Sequence, residues 1–158
     1  MKNKKELILI LPDIRSAENV GAMFRTADAV GVSKIYINGY TPCPIDRFGR
    51  ERKDIAKAAL GAETFISWEY VKSAITNINK LKKEGYTIVG LEQDKNSVNY
   101  KKFKAPKKCA LVVGNEVLGL DKKIKKLCDT LIEIPMKGKK ESLNVSVATG
   151  VALYSLID

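Results

Sequence analysis

The feature that most constrains this chain is a rhythm. Short apolar, β-branched runs recur along it: residues 7–11 (LILIL), 34–38 (KIYIN), 64–68 (TFISW), 86–91 (YTIVGL), 109–113 (CALVV) and 131–134 (LIEI). A continuous apolar run such as 7–11, ended by Pro12, has no face to give to water. It needs cover on both sides, which is the condition of a strand inside a parallel sheet. The intervening segments have helical spacing or helical punctuation. Residues 16–30 start at Ser16 or Asn19 as a cap and stop at Gly31, and 51–60 stop at Gly61. Residues 69–84 place Val71, Ala74, Ile75, Ile78 and Leu81 on one face before Gly85. Asp121 caps a basic helix to Cys128, and residues 142–157 form the last helix. Strand–helix alternation of this kind predicts an α/β fold, a mostly parallel sheet flanked by helices on both faces. Residues 39–50, with two prolines and two glycines, and the polar, basic stretch 92–108 are expected to be irregular, the latter with one short turn.

At 158 residues the chain is expected to be one domain, residues 1–158. A chain of that size buries roughly 68–70% of its unfolded surface and needs no disulfides. No apolar run approaches the roughly 18 residues of a membrane span. The basic start and the run at 7–11 are followed at once by Asp13 and Arg15, without a small-residue cleavage site, so a buried strand is expected there and not a signal peptide. Cys43, Cys109 and Cys128 are odd in number and far apart, and there is no histidine. That removes zinc sites of the usual Cys/His spacing and nucleophiles activated by histidine, and it suits a reducing cytoplasm and a chain without a metal. The net charge is +10, with Lys/Arg clusters at 47–57, 101–108, 122–126 and 137–140. Such a surplus favours a polyanionic partner, most simply nucleic acid; a solvated lysine-rich surface is the alternative.

In an open α/β sheet, ligands sit beyond the carboxyl ends of the strands. Three segments put unusual residues there: Asn19-Val20-Gly21 leading to Arg25, Gly114-Asn115-Glu116-Val117-Leu118-Gly119 after the run at 109–113, and the stretch from Ile134 through Ser142 and Asn144 into the last helix. Helix starts offer free N–H groups and the positive end of a dipole. Neither G-x-G-x-x-G nor G-x-x-x-x-G-K-[ST] occurs, so dinucleotide-binding and P-loop readings lose their main support. Singly, each residue also has a plain role. Asn19 and Ser142 suit helix caps, Arg25 suits a pair with Asp28, Glu116 a solvated loop, Asn144 a first helical turn, and Gly114 and Gly119 a tight turn.

Together these segments resemble one family. N-V-G-A-M-F-R-T-A-D-A-V-G (19–31), L-V-V-G-N-E-V-L-G-L (111–120) and I-P-M-K-G-K-K-E-S-L-N-V-S-V-A (134–148) are similar to the three motifs of the SpoU (TrmH-like) RNA ribose 2′-O-methyltransferases of the SPOUT superfamily. The motifs occur in order and the resemblance covers essentially the whole chain. It implies a C-terminal deep trefoil knot, which periodicity does not reveal because knots are nearly absent from proteins. It implies S-adenosyl-L-methionine as methyl donor, RNA (tRNA or rRNA) as acceptor, and a homodimer whose active site draws on both subunits. By motif match, Arg25, Asn19, Glu116, Ser142 and Asn144 are the catalytic set. Leu91, Gly114, Glu116, Ile134, Met136, Ser142 and Leu143 would hold the cofactor. Without the additional domains of larger relatives, the chain is expected to be close to a minimal catalytic domain.

The chemistry asks for alignment of a weakly acidic ribose hydroxyl with a methyl sulfonium, and alignment alone supplies up to about 7–11 kcal/mol. A guanidinium stays protonated below a pKa of about 12, so Arg25 acts as a base only with help from an RNA phosphate, or else stays charged, grips the phosphate and steadies the developing alkoxide. Arg47, Arg50, Arg52 and Lys53, together with Arg25, are the candidate RNA contacts. A non-catalytic RNA-binding protein on the same scaffold is the competing expectation, and a small-molecule methyltransferase is a weaker third because it leaves the charge without a use.

Overall fold

The computed structural model describes residues 4–158; the first three residues of the basic start lie outside the described residues. Strands β1 (Glu6–Pro12), β2 (Lys34–Asn38), β3 (Trp68–Tyr70), β4 (Thr87–Leu91), β5 (Val98–Asn99), β6 (Lys108–Val112) and β7 (Thr130–Glu133) form one sheet in the order β3-β2-β1-β6-β4-β7-β5. Every pairing in it is parallel. Helices α1 (Ala17–Val30), α2 (Lys53–Ala59), α3 (Ala62–Phe65), α4 (Ala74–Lys83), α5 (Lys122–Leu127) and α6 (Val145–Ile157) connect and follow them. This is the α/β arrangement with helices on both faces that the alternation of runs predicts.

β1 shows why its run is continuous. It lies between β2 and β6, and its side chains alternate between two cores. Leu7, Leu9 and Leu11 pack with Phe24 and Met23 of α1, Ile55 of α2 and Leu153 of α6. Ile8 and Ile10 pack with Ile78 and Leu81 of α4 and Ile124 of α5. Each such side chain contributes roughly 1.5–3 kcal/mol by leaving water, so both faces of β1 hold the fold together. α1 begins at Ser16, whose hydroxyl accepts from the Asn19 N–H, and ends at Gly31 with φ 91°. Ser16 is therefore the cap and Asn19 keeps its side chain free for other partners.

Four boundaries differ from the sequence expectation. TFISW is not a strand: Leu60 and Gly61 both take left-handed φ, 52° and 92°, and restart the chain as α3. Phe65 of that run is 75% exposed, so its apolar character is not spent on the core. The strand falls later, at Trp68–Tyr70, on the sheet edge, where among the described residues only β2 pairs with it. α4 therefore begins at Ala74 under the Ser73 cap and not at residue 69. Within 92–108 the chain adds the two-residue β5 and a 3₁₀ turn at Tyr100–Lys102. α6 begins at Val145 with Asn144 as its N-cap, so Ser142 lies in the loop before the helix.

Because the strands are parallel, the loops leaving β1, β4, β6 and β7 emerge at one edge. α1 is drawn close to α2 at Gly21, where a Cβ would come within 2.5 Å of the Ile55 carbonyl oxygen. α1 also packs on α6, where Gly150 stands against Thr26. The residues singled out on α1, in the β6–α5 loop and before α6 are thereby brought to the same end of the sheet.

Candidate active site

Glu116 ties two of the three motif segments together. One carboxylate oxygen accepts the Arg15 N–H at 3.0 Å; the other accepts the Ser16 N–H at 2.8 Å and the Asn19 side-chain amide at 3.2 Å. These donors sit at the start of α1, where free N–H groups and the helix dipole favour a negative charge. Burial pushes the Glu116 carboxyl up, but the N–H groups of Arg15 and Ser16 and the Asn19 amide outweigh it and hold the group below its ordinary value.

The third segment joins through Asn144. Its side-chain amide donates to the Asn19 side-chain oxygen Oδ1 at 3.3 Å, while its own side-chain oxygen accepts the Ser146 N–H at 2.9 Å and the Ser146 hydroxyl. The result is a directional chain: Ser146 donates to Asn144, Asn144 to Asn19, and Asn19 to the Glu116 carboxylate. Each amide is polarised by the next acceptor. Asn19, Glu116 and Asn144, three residues with plain local explanations apart, form one network across 125 residues of sequence.

The loop carrying Glu116 is a tight, internally bonded turn. Asn115 and Gly119 exchange backbone hydrogen bonds at 3.1 and 3.0 Å. The Asn115 side chain accepts from the Val117 and Leu118 N–H groups and donates to the Asp13 carbonyl and to the Tyr40 hydroxyl. Gly119 has φ 71°, and at Gly114 a Cβ would lie 2.5 Å from the Gly119 carbonyl carbon. Both glycines are needed by the turn itself. Glu92, just past β4, accepts the Leu120 N–H at 2.6 Å and supports the turn from below. Glu92 and Tyr40 escape a sequence reading, and Asn115 stands in the motif segment without a role assigned to it. The signal for Asn115 was there, since Asn at a turn bonds backbone two residues on; Glu92 and Tyr40 carry no pattern of their own.

Beside this turn lies a cleft of about 320 Å³ between the loops after β4, β6 and β7 and the start of α6. All seven residues expected to hold the cofactor line it: Leu91, Gly114, Glu116, Ile134, Met136, Ser142 and Leu143. Its walls are mainly apolar. Among the described residues its charged lining is Glu92, Glu116 and Glu133, with no lysine or arginine, in a chain of net charge +10. Such a cleft repels phosphate and suits an apolar or aromatic ligand that carries positive charge. Gln93 reaches across and donates to the Glu141 carbonyl at 2.9 Å, fastening the β4 loop to the stretch before α6.

Arg25 stands apart from this cluster. It is exposed on α1 and has no hydrogen bond or ion pair among the described residues, so the pairing with Asp28 is not formed. Of the other basic candidates, Arg50 pairs with Asp46 at 3.4 Å and Arg52 forks onto Asp54 through bonds of 3.2 and 2.8 Å. Arg47 and Lys53 have no ion pair among the described residues. The Arg52 fork is exposed and therefore worth at most about 1 kcal/mol, little enough for a phosphate to compete with it. No helix among the described residues is long and apolar enough to cross a membrane.

The comparisons with known proteins agree with this geometry. The SpoU rRNA Methylase family matches residues 6–154. A tRNA (guanosine(18)-2'-O)-methyltransferase of Aquifex aeolicus is 35% identical over 153 residues, 97% of this chain and 69% of the relative. A 23S rRNA (guanosine-2'-O-)-methyltransferase of Ralstonia nicotianae is 34% identical over 152 residues, 96% of this chain and 58% of the relative. The crystal structure of an AdoMet-bound rRNA methyltransferase from Sinorhizobium meliloti is similar with a TM-score of 0.86 at 28% identity, over 96% of this chain and 56% of that one. The chain thus spans between 56% and 69% of the length of these relatives. With the family match running across nearly all of its residues, the chain belongs to the SpoU rRNA Methylase family.

Proposed function

We propose that this protein is an S-adenosyl-L-methionine-dependent methyltransferase that modifies a ribose 2′-OH of RNA. Transfer RNA is the main reading, supported by the Aquifex aeolicus relative, and ribosomal RNA is the second, supported by the relatives from Ralstonia nicotianae and Sinorhizobium meliloti. The observation that carries the reading is the cleft. Its apolar walls, its three carboxylates and the lack of basic residues among its described lining fit a nucleoside whose sulfonium and ammonium outweigh its one carboxylate, and disfavour a phosphate-bearing cofactor. Leu91, Ile134, Met136 and Leu143 supply the apolar wall for the adenosine, and Glu116 and Ser142 the polar contacts. When bound, the cofactor supplies an electrophilic methyl group.

The protein's own residues align and polarise. The Glu116–Asn19–Asn144 chain locks the α1 start, the Glu116 turn and the α6 start into one rigid frame beside the cleft. Arg25, exposed on α1 and without a hydrogen bond or ion pair among the described residues, grips an RNA phosphate and steadies the alkoxide as the 2′-OH proton passes to that phosphate or to solvent. The intact polar set argues against a non-catalytic RNA-binding scaffold.

The reading includes a homodimer and a knot. α6 is apolar on nearly every side, yet Val147 and Tyr154 are 52% and 50% exposed on it. A helix apolar all round belongs in an interior, so a second copy is the natural cover for that face. Threading of the stretch 134–158 through the preceding loop, as a trefoil knot, rests on the family match over residues 6–154. Cys43, Cys109 and Cys128 are free thiols, which supports a reducing, cytoplasmic setting. Calorimetric titration with S-adenosyl-L-methionine tests the reading at its base. Saturable binding, lost in Met136→Glu, is expected; absence of binding to the folded parent contradicts it.

A further inference from the structure

Residues 45–51 form a small, closely bonded hairpin outside the cleft. Ile45 and Glu51 bridge antiparallel, the Asp46 N–H donates to the Arg50 carbonyl at 2.8 Å, and the Gly49 N–H donates to the Asp46 carbonyl at 2.9 Å. The Asp46 carboxylate staples the turn from within. It accepts the Phe48 and Arg50 N–H groups at 2.8 and 2.9 Å and pairs with the Arg50 side chain at 3.4 Å. Gly49, at φ 79°, permits the tip. What this turn presents is Phe48, 66% exposed, with the Arg47 and Arg50 guanidinium carbons 4.8 and 4.9 Å from its ring centroid.

A single exposed aromatic ring is ordinary. A ring held out by a stapled turn, with two guanidinium groups within stacking reach, in a chain of net charge +10, is the composition that takes nucleobases. The hairpin is also tied to the active site at both ends. Tyr40, at the start of the same loop, bonds Asn115 of the Glu116 turn at 2.9 Å, and α2, which follows the hairpin, packs on α1 at Gly21.

We propose that Phe48, with Arg47 and Arg50, is a stacking platform for one unpaired base of the RNA substrate. The proposal rests on RNA being the substrate. An incoming base stacks on the ring or on a guanidinium plane, and a guanidinium displaced from the ring turns to the neighbouring phosphate. The exchange is favourable because an exposed cation–π contact is weaker than a base–aromatic stack. A base inside an A-form helix has no free face, so the platform selects single-stranded loops and sets which part of the RNA lies beside the cleft.

The test is equilibrium binding of a short single-stranded oligoadenylate, and of duplex RNA of the same length, to the parent, Phe48→Ala and Phe48→Trp. The expected result is that Phe48→Ala weakens single-strand binding by about tenfold or more, the scale of one lost stack. Phe48→Trp restores it, and duplex affinity and the salt slope stay as in the parent. Phe48→Ala that binds oligoadenylate as the parent does overturns the platform, as does an equal loss on duplex and single strand. A parent that binds neither RNA overturns the RNA reading itself, and the platform with it.

Discussion

Replacement of Glu116 by glutamine tests the network at its centre. Three donors, the Arg15 and Ser16 N–H groups and the Asn19 amide, converge on two carboxylate oxygens. Glutamine keeps the shape but offers one acceptor oxygen, and turns an NH₂ towards a backbone N–H. Asn19 gains nothing by flipping its amide, because its own oxygen is already committed to Asn144. At least one charge-assisted bond is lost and two donors face each other. Such a bond is worth roughly 1.5–3 kcal/mol when buried; with the Arg15 N–H exposed, about 1–2 kcal/mol is the fair figure. For a domain of this size that corresponds to a Tm lower by about 2–8 °C near pH 7. The effect depends on pH with a definite sign. The folded carboxyl is held below its ordinary value, so its stabilisation is present above the unfolded pKa of about 4.3 and is lost as pH falls through the folded pKa. Thermal melts of parent and variant should therefore differ at pH 7 and converge in acid, where the parent's Glu116 is also neutral. Equal melting at pH 7, or a difference that persists unchanged in acid, refutes the network as the source of the effect.

Three further outcomes are expected. Gly114→Ala drives a Cβ into the backbone of Gly119 and Leu120 at 2.5 and 2.6 Å, so the turn must shift at a cost of about 1–3 kcal/mol; melting falls, and calorimetry finds cofactor affinity reduced at least about tenfold. Val147→Asp places a charge on the exposed apolar face of α6; sedimentation should give half the parent's mass with the circular dichroism of the fold retained, and an unchanged mass removes α6 from the interface. Lys53→Ala should lower the slope of log affinity for RNA against log salt by about one, and an unaltered slope removes Lys53 from the phosphate contacts.

Much of the fold was legible locally because local physics decides it. The run at 7–11 has no polar side to expose and so lies between two neighbours; Gly31 ends α1 because only a left-handed residue closes that helix. TFISW misled because an edge strand and a surface helix make weak demands on sequence. Phe65 is exposed, and the left-handed pair Leu60–Gly61 sets the boundary instead. At the start of α6, Ser142 and Asn144 are both good caps, and only the bond to Ser146 distinguishes them. The site follows the same division. Glu116, Asn19 and Asn144 were visible as motif residues, but their junction spans most of the chain and depends on how three loops meet. Glu92 and Tyr40 act through single long-range bonds that no spacing announces. The Arg52–Asp54 fork was hidden for a different reason: a basic cluster shows its charge in sequence, but not which members are already paired.

The most direct measurement is transfer of labelled methyl from S-adenosyl-L-methionine to total RNA by the parent and by Arg25→Ala, with the modified position mapped and cofactor binding measured in parallel. Label at a ribose 2′-O is expected with the parent, and a loss of about 10²-fold or more in Arg25→Ala while cofactor binding is kept. Label on a base, or near-normal turnover by Arg25→Ala, contradicts this reading.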